Sequence, residues 1–137
     1  MVLIAFCIIS CKTTKVPPTA QQTTSQQQVV DTKVTSVLEV EDTLNLGTLH
    51  RSNTTSVVHL SCKCNGTTDI RINSITTTAQ NIQISSSPRI TAGAKGTILC
   101  LIETSRQSSG IHEETIYIKT NSTVKPDVSA ILKYTIE

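Results

Sequence analysis

The sequence predicts an all-β fold, an immunoglobulin-like antiparallel β-sandwich of about seven strands, and three observations carry that expectation. Apolar and polar residues alternate in short runs, and no stretch sustains the 3.6-residue period of a helix. Turn residues recur about every 8–12 positions, the spacing of sandwiches and barrels. The composition agrees: Thr, Ile and Val abound while aromatics make up 2%, namely Phe6, Tyr117 and Tyr134. β-Branched side chains fit a pleated, half-buried surface better than a helix.

The domain is expected over residues 34–137. Leu44 and Leu46 alternate ahead of Gly47. Val58, Leu60, Cys62 and Cys64 share one face, His59, Ser61 and Lys63 the other, and Asn65-Gly66 supplies the turn that ends the run. Ile70 and Ile72 alternate with Asp69, Arg71 and Asn73, then Ile82 and Ile84 alternate until Pro88 stops the pattern. After Gly93 and Gly96, residues 98–102 (Ile-Leu-Cys-Leu-Ile) form an unbroken apolar run suited to a central strand. Ile116 and Ile118 follow a turn at Gly110 and end at Asn121-Ser122. Val128, Ala130, Leu132, Tyr134 and Ile136 give the longest clean alternation. The final strand, Asp127–Glu137, has little Gly or Pro, so it could accept a partner's strand if it lay at a sheet edge.

The first residues read as an address. Val2 to Ile9 are uniformly apolar, too short to cross a bilayer as a helix but long enough for the apolar part of a secretory signal. Ile8-Ile9-Ser10-Cys11 resembles the lipobox of bacterial lipoprotein signals, although no Lys or Arg precedes Val2. The resemblance implies a signal peptide over 1–10 and a lipidated Cys11 that anchors the protein to a membrane of a bacterial cell envelope, on the periplasmic side or the cell surface. Residues 11–33 then read as a Thr/Gln/Ser-rich tether with too little apolar surface to order itself. As a flexible coil it would reach roughly 25 Å.

The domain resembles the "domain of unknown function 1573" family of predicted lipoproteins. The features that carry the likeness are Leu46-Gly47, the strand closing on Asn65-Gly66-Thr67, the segment Ile90 to Ile98 with Gly93 and Gly96, and Gly110 followed by Ile116 to Ser122. It covers about residues 43–137 and implies an exported immunoglobulin-like sandwich with no assigned activity. Many members carry a Ser-Cys-Gly-Cys motif after the third strand. Ser74 to Asn81 stands there in this chain without a cysteine, so nothing that depends on that motif transfers.

Of five cysteines, Cys7 lies in the leader and Cys11 is the lipidation candidate. Cys62, Cys64 and Cys100 remain, and three readings stay open. An immunoglobulin-like strand order would make the second and fifth strands neighbours, bringing Cys100 beside Cys62 or Cys64 for a disulfide. All three could instead be buried, inert thiols. The third reading is a thiol-based metal-binding or redox site, against which stand the four ligands a closed zinc site needs and the opposite orientation of His59.

No catalytic constellation is legible. There is no Gly-x-Ser-x-Gly elbow and no phosphate loop, since Gly93-x-x-Gly96 lacks the Lys-Ser or Lys-Thr that should follow. His50, His59 and His112 are scattered over a turn, an outward strand position and a loop. Glu113 and Glu114, as strand neighbours, point to opposite faces. Charged residues are 16% with a net charge of +2 and no basic run, which gives nucleic acid no footing. The scarcity of aromatics removes the stacking platforms of sugar-binding and single-strand-binding modules, and no cofactor or small-molecule substrate is evident. Sequons at Asn53, Asn65 and Asn121 arise easily in a Thr-rich chain, and Asp42-Thr43-Leu44 resembles a short bacterial O-glycosylation motif. The expected function is that of a non-catalytic structural or protein-interaction module with an envelope protein as partner.

Overall fold

The computed structural model describes residues 33–137; the leader, Cys11 and the tether up to residue 32 lie outside the described residues. Nine strands follow in order: β1 (Val37–Val40), β2 (Thr43–Leu49), β3 (Ser56–Asn65), β4 (Ile70–Thr77), β5 (Ile82–Ser86), β6 (Arg89–Ile90), β7 (Lys95–Ile102), β8 (Gly110–Thr120) and β9 (Asp127–Ile136). They form two sheets, one ordered β1-β3-β7-β5 and the other β2-β9-β8-β4-β6. This is the expected immunoglobulin-like sandwich, with β1 and β6 added to the seven strands read from the sequence. Both are short, four and two residues, and carry too little alternation to be seen as a period. The sandwich is antiparallel except for one pair, β2 with β9.

That parallel pair follows from how the chain begins. β1 pairs with β3 in the first sheet, and the chain then crosses at Glu41-Asp42 to lay β2 along β9 in the second. The Ile131 amide donates to the Asp42 carbonyl at 2.8 Å, fixing the crossing point. The last strand is therefore internal, flanked by β2 and β8, and not the edge strand that its length and composition left open. A second crossing, at Ser87-Pro88, carries the chain from β5 to β6, and the Ile72 amide holds the Pro88 carbonyl at 2.9 Å.

The inner faces meet over Leu38, Leu60, Ile98 and Ile102 from one sheet and Ile70, Ile116, Ile118, Leu132 and Ile136 from the other, all fully buried. Each such side chain contributes about 1.5–3 kcal/mol through removal from water. Two irregularities shift the alternation. In β4 a slip between Ile72 and Ser74 passes the inward role from Ile70 and Ile72 to Ile75 and Thr77. In β2 a slip between Asn45 and Gly47 does the same, so Leu44 and Leu46 give way to Leu49. Gly47 has φ +68°, a conformation open to glycine, and the Asn45 side chain accepts its amide at 3.1 Å. Gly66 is needed for a different reason: a Cβ there would collide with Ser36, whose hydroxyl accepts the Thr68 amide at 3.0 Å.

Candidate interaction surfaces

The metal or redox alternative depends on three thiols. Cys62, Cys64 and Cys100 are free and buried. β3 and β7 are neighbours, as expected, but their register sets Cys62 opposite Gly96 and Cys100 opposite Val58. Four residues of strand separate the two cysteines, about 13 Å at 3.3 Å per residue. Cys64, whose amide donates to the Ala94 carbonyl, lies farther still from Cys100. A disulfide needs Cα atoms within about 7 Å, so the expected pairing of Cys100 with either partner is corrected by the register. Cys64 gives its thiol hydrogen to the Thr68 carbonyl at 3.4 Å. Burial pushes the Cys100 thiol up to about 11, and it raises Cys62 as well, against a smaller opposing pull from the Gly96 amide. Buried thiols held apart are poor ligands and poor nucleophiles. Among the described residues no three His, Cys, Asp or Glu side chains converge as a metal site. The inert-thiol reading fits best.

One end of the sandwich carries a polar plug that sequence reasoning missed. Tyr134 is buried on β9 and its hydroxyl donates to Gln107 Oε1 at 2.8 Å. Burial raises the Tyr134 phenol above its ordinary value; the Gln107 contact opposes this and the Glu114 charge adds to it. His112, placed in a loop by the sequence reading, belongs to β8, directly opposite Tyr134, and stacks on its ring with centroids 5.2 Å apart. The carbonyl of Gln107 accepts Arg51 Nη2 at 2.7 Å, which ties the loop after the short 3-10 turn Thr104–Arg106 to the turn after β2. Gln107 Nε2 is buried without a protein partner. The signal that could have found this plug is a lone Tyr in an apolar alternation, since a buried phenol demands a partner. Of the adjacent acids, Glu113 meets Lys133 at 3.0 Å and Glu114 accepts the Thr78 hydroxyl at 2.9 Å, so they act apart, as expected. His59 is exposed on the outer face of β3 and His50 follows β2, both as read from the sequence.

The outer faces differ. On the β1-β3-β7-β5 sheet, Val57 and Leu101 are direct cross-strand partners, and Leu99 lies two residues along on the same face. Their exposures are 57%, 38% and 36%, so the row is open to solvent. Gln83 and Ser85 of β5 flank Leu101 and Leu99. On the other sheet, exposed Ile111 and Tyr117 stand apart on β8, with Glu113 and Thr115 between them.

No family model and no curated protein matches the chain. Solved structures do resemble it. A protein of unknown function from Porphyromonas gingivalis W83 superposes with TM-score 0.67 and 17% identity over 80% of this chain and 51% of that one, so the chain spans about half of its length. A PapD-like domain of human CEP192 gives TM-score 0.56 and 11% identity over 97% and 96% of the two chains. The YadV chaperone gives TM-score 0.50 and 11% identity over 76% and 53%. At these identities the likeness is one of fold alone, an immunoglobulin-like sandwich.

Proposed function

We propose that this protein is a non-catalytic interaction module of a bacterial cell envelope, anchored by a lipid on Cys11 and related to the domain of unknown function 1573 family. The observation that carries the reading is the solvent-open apolar row of Val57, Leu99 and Leu101 on one sheet of an immunoglobulin-like sandwich. Adjoining apolar side chains on a regular, loop-free face suit a protein partner better than a small molecule, which needs a concave pocket with convergent polar groups. The buried, separated thiols take support from the metal or redox alternative.

Two measurements test it. Cells fed an alkyne fatty acid should label the wild type and not Cys11→Ser, and the wild type should fractionate with membranes. A photo-crosslinking residue at Leu99 or Leu101 should give a discrete adduct with another envelope protein, whereas one at Lys133 on the opposite sheet should not. An unlabelled cytosolic wild type sinks the anchor, and equal adducts from both sheets sink the apolar row as the binding face.

A further inference from the structure

We propose that β5 is a self-association edge, through which two copies of the chain join their four-stranded sheets into one continuous sheet about a two-fold axis at Ile84. This goes beyond the envelope reading and does not depend on it.

The two sheets leave four edges among the described residues: β1 and β5, β2 and β6. An edge that pairs with its own copy brings every charge it carries close to the same charge, so a charged, bulged or proline-bearing edge resists self-pairing. β1 carries Glu39 and runs into Glu41. β2 is bulged between Asn45 and Gly47, which breaks its regular row of donors and acceptors. β6 is two residues long, follows Pro88, and has Arg89 bonded to Asp69 at 2.8 Å. β5 reads Ile-Gln-Ile-Ser-Ser, with no charge, Gly, Pro or bulge. Among the described edges it alone lacks every one of these guards.

The ladder then says which groups are free. The Glu103 amide donates to the Asn81 carbonyl at 2.9 Å, which marks that opposed pair as hydrogen-bonded. In an antiparallel ladder such pairs recur every second residue. Gln83 with Leu101 and Ser85 with Leu99 are therefore the next bonded pairs, and Ile82, Ile84 and Ser86 turn their amides and carbonyls away from β7. None of those six groups enters a loop or turn backbone bond among the described residues. A second copy laid antiparallel on this edge sets Ile84 against Ile84, Ile82 against Ser86 and Ser86 against Ile82, with two bonds in each pair.

The side chains favour the same joint. Ile84 packs against the core but is only partly buried, and its own copy across the axis covers what remains. On the outer face Gln83 falls opposite Ser85 of the other copy, an uncharged pair. A five-residue joint is smaller than a standard interface of about 1,600 Å², so the association is weak and concentration-dependent.

The register makes the test specific. Two tagged full-length copies, Gln83→Cys and Ser85→Cys, are co-expressed in a Cys7→Ser, Cys11→Ser background and oxidised mildly. The non-bonded pair brings their Cα atoms to about 4.5 Å. The mixture should cross-link, and each variant alone several-fold less, because like positions sit diagonally across the axis. Adding Ile84→Pro removes the central outward amide without touching a β7 bond and should abolish the cross-link while the circular dichroism of the wild type persists. Should the proline variant lose its fold, Ser86→Lys, which sets a charge beside Ile82 of the other copy, is the second blocking variant and should cut the yield several-fold. No dimer from the mixture, equal yields from the single variants, or adducts only with other proteins would overturn the proposal.

Discussion

Outward from a common core, β3 and β7 set Val57 beside Leu101, whereas β8 and β9 set Glu113 beside Lys133 and Lys119 beside Asp127. The second pattern suits water: opposed charges at 3.0 and 3.8 Å tolerate solvent on every side. The first does not improve by facing water, since exposed aliphatic groups gain nothing there. The two sheets solve the same folding problem with the same alternation, so the difference between their outer faces is not a demand of folding. It is the difference on which the proposed use of the β1-β3-β7-β5 sheet as a binding face rests.

Both environments occur within a single strand. Leu60 and Val57 both belong to β3, yet Leu60 is fully buried and Val57 is open. Leu60→Ala should lower stability by about 2–5 kcal/mol, as large-to-small changes in packed cores do. Val57→Ala should stay within about 0.5 kcal/mol. Urea unfolding of both variants decides it, and similar losses would mean the outer row is packed by something in the molecule itself.

The described tyrosines repeat the contrast on the other sheet. Tyr134 is buried with its hydroxyl on Gln107, while Tyr117 is half exposed on β8. Tyr134→Phe leaves both polar ends of the Gln107 side chain without a protein partner, a loss of about 1–3 kcal/mol. Tyr117→Phe should be nearly silent, and thermal melts of the two variants check the difference. Equal shifts would place the plug's energy elsewhere, in the His112 stack or the Arg51 contact.

Most of the architecture was legible because burial with period two writes itself into sequence. The seven longer strands and the inward faces of β3 and β9 follow from it, while Asn65-Gly66 ends β3 by its own turn chemistry and Gly110, read as a turn, is the first residue of β8. The missed features are the ones that period two does not encode. β1 and β6 are too short, the crossing at Glu41-Asp42 is a tertiary choice, and the inward turn of His112 depends on its partner across the ladder. The cysteines show the limit best. Neighbouring strands could be argued from the fold, but only the register, Cys62 opposite Gly96 and Cys100 opposite Val58, decides that no bridge joins them.

Alkaline titration gives a third contrast, between a core thiol and a surface carboxylate. Cys100 ionises ordinarily at 9.0 and is pushed up to about 11 by burial, so the fold disfavours its charged form. Its contribution is complete below pH 9 and lost as pH rises through about 11, on the order of 3 kcal/mol. Asp69 has the opposite sign: the Ala92 amide and the Arg89 side chain lower its pKa, so its share is present above the ordinary 3.8 and lost as pH falls through the lowered value. Chemical denaturation from pH 8 to 11 should show a downward slope that flattens in Cys100→Ala. An unchanged slope would assign the alkaline loss to Cys62 or Tyr134.

The smallest effect on stability separates contact from folding most cleanly. Lys133→Ala breaks an exposed ion pair worth about 0–1 kcal/mol, and Leu101→Ser removes a side chain that is 38% exposed, a loss of about 1–2 kcal/mol for its covered part. Both variants should still melt as folded proteins. Their association should differ, because an apolar group on a binding face contributes in proportion to the area it loses to the partner, while a charge pair on the opposite sheet contributes nothing there. A photo-crosslinker at Leu99 should therefore keep its adduct in Lys133→Ala and lose most of it in Leu101→Ser. If both variants kept it, the row on β3 and β7 would be exposed surface without a partner, and the contrast between the two sheets would have no functional content.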